Sequence, residues 1–181
     1  FHLAPAVGID SGSTGTMTSA ACRGACGSPS HAPVDLIMIL DRTSSMGAGD
    51  VSSTRSAASA VLTSYDPTYQ WVGLGLLGSS NFSGSCGGGA ASKATTNWLP
   101  VQLTGIGAPL NESYVNPGHG LNGGTSLVQT INCYNQSSTG TDLASTSAAA
   151  ASYLRANGRA NATKGIILMT DGEPNGSTCA A

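Results

Sequence analysis

The feature that most constrains this chain is an apolar run, Val34-Asp35-Leu36-Ile37-Met38-Ile39-Leu40, that stops at a carboxylate, Asp41. A half-exposed strand alternates apolar with polar residues, whereas a strand covered on both faces reads as a near-continuous apolar run. The run therefore predicts a central strand of a parallel sheet. A second run, Ile166-Ile167-Leu168-Met169-Thr170, leads in the same way into Asp171-Gly172.

Local signals between the two runs alternate in type. Asp50 can cap a helix whose apolar positions Val51, Ala57, Ala58, Val61, Leu62 and Tyr65 follow helical spacing and which Pro67 prevents from continuing. A strand from Gln70 to Leu77 comes next. Gly78 to Gly124 is rich in Gly, Ser, Asn and Pro, with one strand near Asn97 to Leu103 and nothing helical. Thr141 and Asp142 then precede an alanine-rich helix carrying Leu143, Ala150, Ala151, Tyr153 and Leu154, which ends near Asn157-Gly158. Strands alternating with helices predict an α/β fold with a doubly wound, mainly parallel central sheet flanked by helices. Ligands of such sheets bind beyond the carboxyl ends of the strands.

At 181 residues the chain accommodates one domain with a sizeable core rather than two. Residues 1–32 read as a Gly/Ser/Ala-rich extension containing Cys22 and Cys26, and residues 33–181 as the domain proper. Only 9% of residues are charged and the net charge is -2, so there is no basic field to hold nucleic acid or an anionic membrane. No run of about 18 apolar residues exists to span a bilayer. Five cysteines in so weakly charged a chain fit an oxidising, extracellular or cell-surface setting. The Cys22 to Cys26 spacing is not that of a zinc ribbon, and a disulfide role is favoured over metal. Asn-x-Ser/Thr patterns at Asn81, Asn111, Asn135, Asn161 and Asn175 add weak support for a surface protein.

The chemistry concentrates where the two apolar runs end. Asp41-Arg42-Thr43-Ser44-Ser45 offers a carboxylate and two hydroxyls at every second position, Asp171 leaves a second strand at the same edge, and Thr141 sits just before a helix entering that edge. Five oxygen groups without thiolate or imidazole suit a hard divalent cation, Mg²⁺, Mn²⁺ or Ca²⁺. Thr125, after Gly123-Gly124, is a rival to Thr141, which is preferred because helical sequence follows it directly. Each residue alone has a plainer reading, as a helix cap or a turn. Together they form a pattern that chance rarely produces.

Other chemistries fit less well. Gly73-Leu74-Gly75-Leu76-Leu77-Gly78 matches a dinucleotide fingerprint in letters, but its glycines fall in and at the end of a strand and no helix follows. An aspartyl-nucleophile phosphatase needs a second carboxylate two residues after Asp41, where Thr43 stands. His2, His31 and His119 lie near no nucleophile motif, so hydrolysis lacks a base.

The Asp-x-Thr-x-Ser motif on a hydrophobic strand, then a Gly-Thr-Asp threonine, then a strand ending Thr-Asp-Gly, resembles the metal-ion-dependent adhesion site of von Willebrand factor A domains. More narrowly, Leu-Asp-Arg-Thr-x-Ser-Met, the upstream Cys22/Cys26 pair and Lys-Gly-Ile-Ile-Leu-Met-Thr-Asp-Gly-Glu-Pro-Asn are similar to TadG-like proteins of tight-adherence pili. The resemblance covers roughly residues 33–181. It implies binding rather than catalysis. Thr43 and Ser45 would ligate the cation directly, Thr141 would do so when a ligand is bound, and Asp41 and Asp171 would act mostly through water. A partner's carboxylate would take the remaining position; the alternative partner is another subunit of a surface filament, with a purely structural cation. Threonine at position 43 and Ser44 depart from the commoner serine and glycine. The family fold continues past the Thr-Asp-Gly strand with further elements, so the chain is expected to lack the last strand and helices and to have its open edge covered by another chain or by the remainder.

Overall fold

The computed structural model describes residues 32–77, 98–118, 120–136 and 143–171. Its centre is β1 (Val34–Leu40), which pairs in parallel with β2 (Gln70–Leu76) on one side and, on the other, with the last described strand, Thr163–Met169. Having neighbours on both edges and cover on both faces, β1 buries every residue from Asp35 to Leu40, which is why its sequence is nearly unbroken apolar.

Leu36, Met38 and Leu40 face one core, with Val51, Ala58 and Leu62 of α1 (Ala48–Thr63) and Leu127, Val128 and Ile131 of α2 (Ser126–Cys133). Ile37 and Ile39 face the other, with Leu103 and with Ala150 and Leu154 of α3 (Leu143–Asn157). The α/β class follows directly from this layering.

The sheet is mixed, a departure from the mainly parallel, doubly wound arrangement expected. With β3 (Val101–Thr104) and the strand Thr163–Met169 as β4, its order is β3-β2-β1-β4, and β3 runs antiparallel to β2. Parallel neighbours need a crossover, usually a helix, and the sequence between β2 and β3 has no helical pattern; a strand that returns without one runs antiparallel. The strand also starts at Val101 rather than near Asn97.

Helix boundaries shift as well. α1 starts at Ala48 with Gly47 at its cap, and Asp50 serves from inside the first turn, its Oδ2 accepting the Gly47 N–H at 2.9 Å. Two residues of the dinucleotide-like motif, Gly73 and Gly75, lie within β2. A Cβ at Gly73 would stand 2.6 Å from the Ile37 side chain, and one at Gly75 would press on Trp98. These glycines admit close packing across the sheet.

No helix among the described residues is long and apolar enough to cross a membrane.

Candidate cation site

Parallel register sets the site. Val34 pairs with Thr163 and Leu40 with Met169, and the ladder runs one step further, with the Asp41 N–H donating to the Met169 carbonyl at 2.9 Å. Asp41 and Thr170 thus leave adjacent strands at the same height, with Asp171 next. This is the carboxyl edge of the sheet, where open α/β folds bind ligands.

Asp41 then turns the chain. Its Oδ1 accepts the Thr43 N–H at 2.8 Å, a side-chain turn of the kind aspartate favours. Its Oδ2 accepts the Thr170 hydroxyl at 2.5 Å. The Met46 N–H closes the loop onto the Thr43 carbonyl at 3.1 Å, and the buried Met46 side chain anchors it in the core. Thr43 and Met46 being pinned inward, Ser44 and Ser45 are left exposed.

The result is a chain of oxygens from the interior to the surface. Asp41 and Thr43 are fully buried; the Thr43 Oγ1 lies 3.2 Å from the Ser45 Oγ; and the exposed Ser45 hydroxyl donates to Asp171 Oδ1 at 3.2 Å. Four of the five residues singled out in the sequence, Asp41, Thr43, Ser45 and Asp171, are therefore contiguous. Thr141 lies outside the described residues, as do Cys22, Cys26, Cys86 and Cys179. Among the described residues no group of three or more His, Cys, Asp or Glu side chains clusters. The set here is two carboxylates joined by hydroxyls, a donor set that fits a hard cation.

Thr125 is at the other end of the molecule. It stands at the N-cap position of α2 without a side-chain cap hydrogen bond, and its hydroxyl donates instead to the Asn122 carbonyl at 2.8 Å. The Asn122 N–H binds the Tyr114 carbonyl, and the Tyr114 hydroxyl binds the carbonyl of Gln70, which opens β2 at its amino end. The opposite end of α2, about 12 Å along its axis, approaches the Asp41 loop. There Gln136 Nε2 donates to the Ser44 carbonyl at 3.0 Å. The Tyr134 hydroxyl binds the Val51 carbonyl at 3.2 Å, and Arg55 donates to the Tyr134 carbonyl while lying 5.4 Å from its ring centre. Burial raises the Tyr134 pKa; the Thr54 hydrogen bond and Arg55 oppose the rise and Asp41 adds to it. Burial lowers that of Arg42.

Sequence reasoning assigned no role to Thr170, Gln136 or Tyr134. Thr170 was visible as the residue before Asp171, but its partnership with Asp41 depends on strand register. Gln136 and Tyr134 carry no local signal.

Comparison with known proteins adds no assignment: no family model matches the chain, and no curated protein or solved structure is significantly similar to it.

Proposed function

We propose that this chain is an extracellular von Willebrand factor A-type domain that holds a divalent cation with Asp41, Thr43, Ser45, Asp171 and Thr141 and uses it to bind a carboxylate of a partner protein. The observation that carries this reading is the contiguity of the Asp41, Thr43, Ser45 and Asp171 oxygens at the carboxyl edge of β1 and β4. A hydroxyl has one proton and two lone pairs. With its proton directed to Asp171, the Ser45 oxygen has lone pairs to offer a cation, and the Thr43 oxygen lies beside it. Asp41 and Asp171 supply two negative charges against the ion's two positive ones. The bound cation would supply the charge that attracts a carboxylate.

The gradient of exposure sets the direction of approach. Asp41 and Thr43 are sealed from solvent while Ser45 and Asp171 are exposed, so a partner reaches the site from the Ser45 and Asp171 side. The finer fold assignment, a doubly wound A-type sheet, rests on the resemblance in sequence together with helices on both faces. The test is calorimetry with Mg²⁺ or Mn²⁺ on the 181-residue chain, with a partner-binding or cell-adhesion assay run with and without chelator. Divalent-dependent binding that chelator abolishes supports the reading, and a chain that takes up neither ion overturns it.

One observation favours a second reading, a subunit of a surface filament in which the cation is structural. β4 stands at one edge of the described sheet with Ile166 and Leu168 exposed. Electron microscopy showing filaments that persist in chelator would decide for it.

A further inference from the structure

We propose that Thr170 is a positioning residue of the cation site, fixing the Asp41 carboxylate through the hydrogen bond from its hydroxyl, although it is not itself a ligand. The proposal rests on the cation-binding reading above. A carboxylate only accepts, so in the 2.5 Å contact Thr170 is the donor. Asp41 is held at both oxygens, Oδ1 by the Thr43 N–H and Oδ2 by Thr170. One donor would leave the carboxylate free to rotate about Cβ–Cγ; two donors, one from its own loop and one from the residue that follows β4, fix its plane.

The two grips differ in origin. Thr43 belongs to the same loop as Asp41 and follows it wherever it goes. Thr170 lies 129 residues away and is brought opposite Asp41 only by the parallel register of β1 and β4. Thr170 therefore ties the carboxylate of the first strand to the strand that delivers Asp171, so the two negative charges keep a fixed separation. Asp41 is fully buried, so its carboxylate depends on these two protein donors. Removing the hydroxyl leaves Oδ2 unpaired and the carboxylate free to leave the geometry that neutralises an ion. Partners that orient metal-site groups are worth roughly 10–100-fold in metal affinity.

The experiment is Mn²⁺ titration of the full chain by calorimetry and electron paramagnetic resonance, with metal-free thermal melting alongside, for wild type and for Thr170→Val, Thr170→Ser and Thr125→Ala. Thr170→Val should bind Mn²⁺ roughly 10–100-fold more weakly, and Thr170→Ser, which keeps the donor, should restore most of the affinity. Thr125→Ala, at the far end of α2, should lower melting and leave Mn²⁺ affinity unchanged. Wild-type affinity in Thr170→Val overturns the proposal. So does equal weakening in the Val and Ser variants, which would show that keeping the hydroxyl donor does not preserve the affinity. Should Thr170→Val fail to fold, Thr170→Ala against Thr170→Ser makes the same comparison. A wild-type chain that does not take up Mn²⁺ at all overturns the cation-binding reading itself, a result distinct from every variant outcome.

Discussion

The Arg159 guanidinium meets the Asp35 carboxylate at 2.7 Å at the amino end of β1, a strand's length away from Asp41. Asp35 is fully buried, and it also accepts the Arg159 backbone N–H at 2.6 Å. The guanidinium donates further to the Val34 and Tyr69 carbonyls and lies 4.1 Å from the Trp71 ring centre. One side chain thus joins β1, the entry to β2 and the turn before β4. Taking one member from a buried pair strands the other charge, which costs about 3–5 kcal/mol. Arg159→Met should lower the unfolding free energy by about that amount, measured by urea denaturation, and combining it with Asp35→Asn should cost less than the sum. Mn²⁺ affinity of the folded variants should not change, because the pair sits at the opposite end from the oxygen cluster.

Alkaline pH should destabilise the fold through its tyrosines. Tyr114 is fully buried and its hydroxyl donates to the Gln70 carbonyl at 2.8 Å. Burial pushes its pKa well above the ordinary value, Tyr65 and Asp66 push it further, and Arg159 opposes them. Tyr65 and Tyr153 are also raised, chiefly by burial. A folded pKa raised above the unfolded one contributes stability that is complete below the unfolded value and lost as pH rises above it. For tyrosine that value is about 10. Stability should therefore hold up to about pH 10 and then fall, by about 1.4 kcal/mol per pH unit for Tyr114 alone. Denaturation midpoints in Tyr114→Phe should fall less steeply over the same range.

What could be read in the sequence was what neighbours in sequence determine. β1 showed itself because burial on both faces leaves a continuous apolar run, and the contiguous Asp41, Thr43 and Ser45 because oxygen-bearing side chains repeat at every second residue of the loop. Asp171 was found by the same strand-end logic. The antiparallel sense of β3 was not legible, since four residues carry no sign of direction. α2, at eight residues, is shorter than the window in which helical periodicity can be distinguished. The Arg159 pair with Asp35 and the Thr170 bond to Asp41 span more than a hundred residues each and exist only once register is set.

A disulfide between Cys86 and Cys133 is predicted to tie the Gly/Ser-rich segment to the body. Cys133 ends α2 and packs against the core beside it, which gives the bond a fixed anchor; Cys86 lies outside the described residues. Non-reducing peptide mapping should recover the two cysteines in one linked peptide pair, and a free Cys86 thiol would refute the staple. Closing a loop of that size is worth at most about 4 kcal/mol in chain entropy, so Cys86→Ser should lower the melting temperature without abolishing folding.

Holding the cation and using it should be separable by mutation, with Thr125, at the end of α2 away from the Asp41 loop, as the control. Asp41 contributes half of the negative charge and its carboxylate is fully buried at the centre of the hydrogen-bonded loop. Asp41→Ala should therefore abolish Mg²⁺ or Mn²⁺ binding and partner binding together. Thr141 follows Gln136, which holds the Ser44 carbonyl, and precedes Leu143, the first residue of α3, packed beside the core that contains Ile39. By the resemblance to A-type adhesion sites, Thr141 would approach the cation only when a partner carboxylate is present. Thr141→Ala should keep most of the metal affinity of the isolated chain while weakening divalent-dependent partner binding by about 1–3 kcal/mol, the cost of a lost partner to a charged group. Thr125→Ala should do neither and should cost about 1 kcal/mol of stability by removing the part-buried hydrogen bond to the Asn122 carbonyl. Calorimetry with Mg²⁺ or Mn²⁺ beside an adhesion assay on the three variants tests all of this at once. Normal partner binding by Thr141→Ala would leave the cluster of Asp41, Thr43, Ser45 and Asp171 with a purely structural cation.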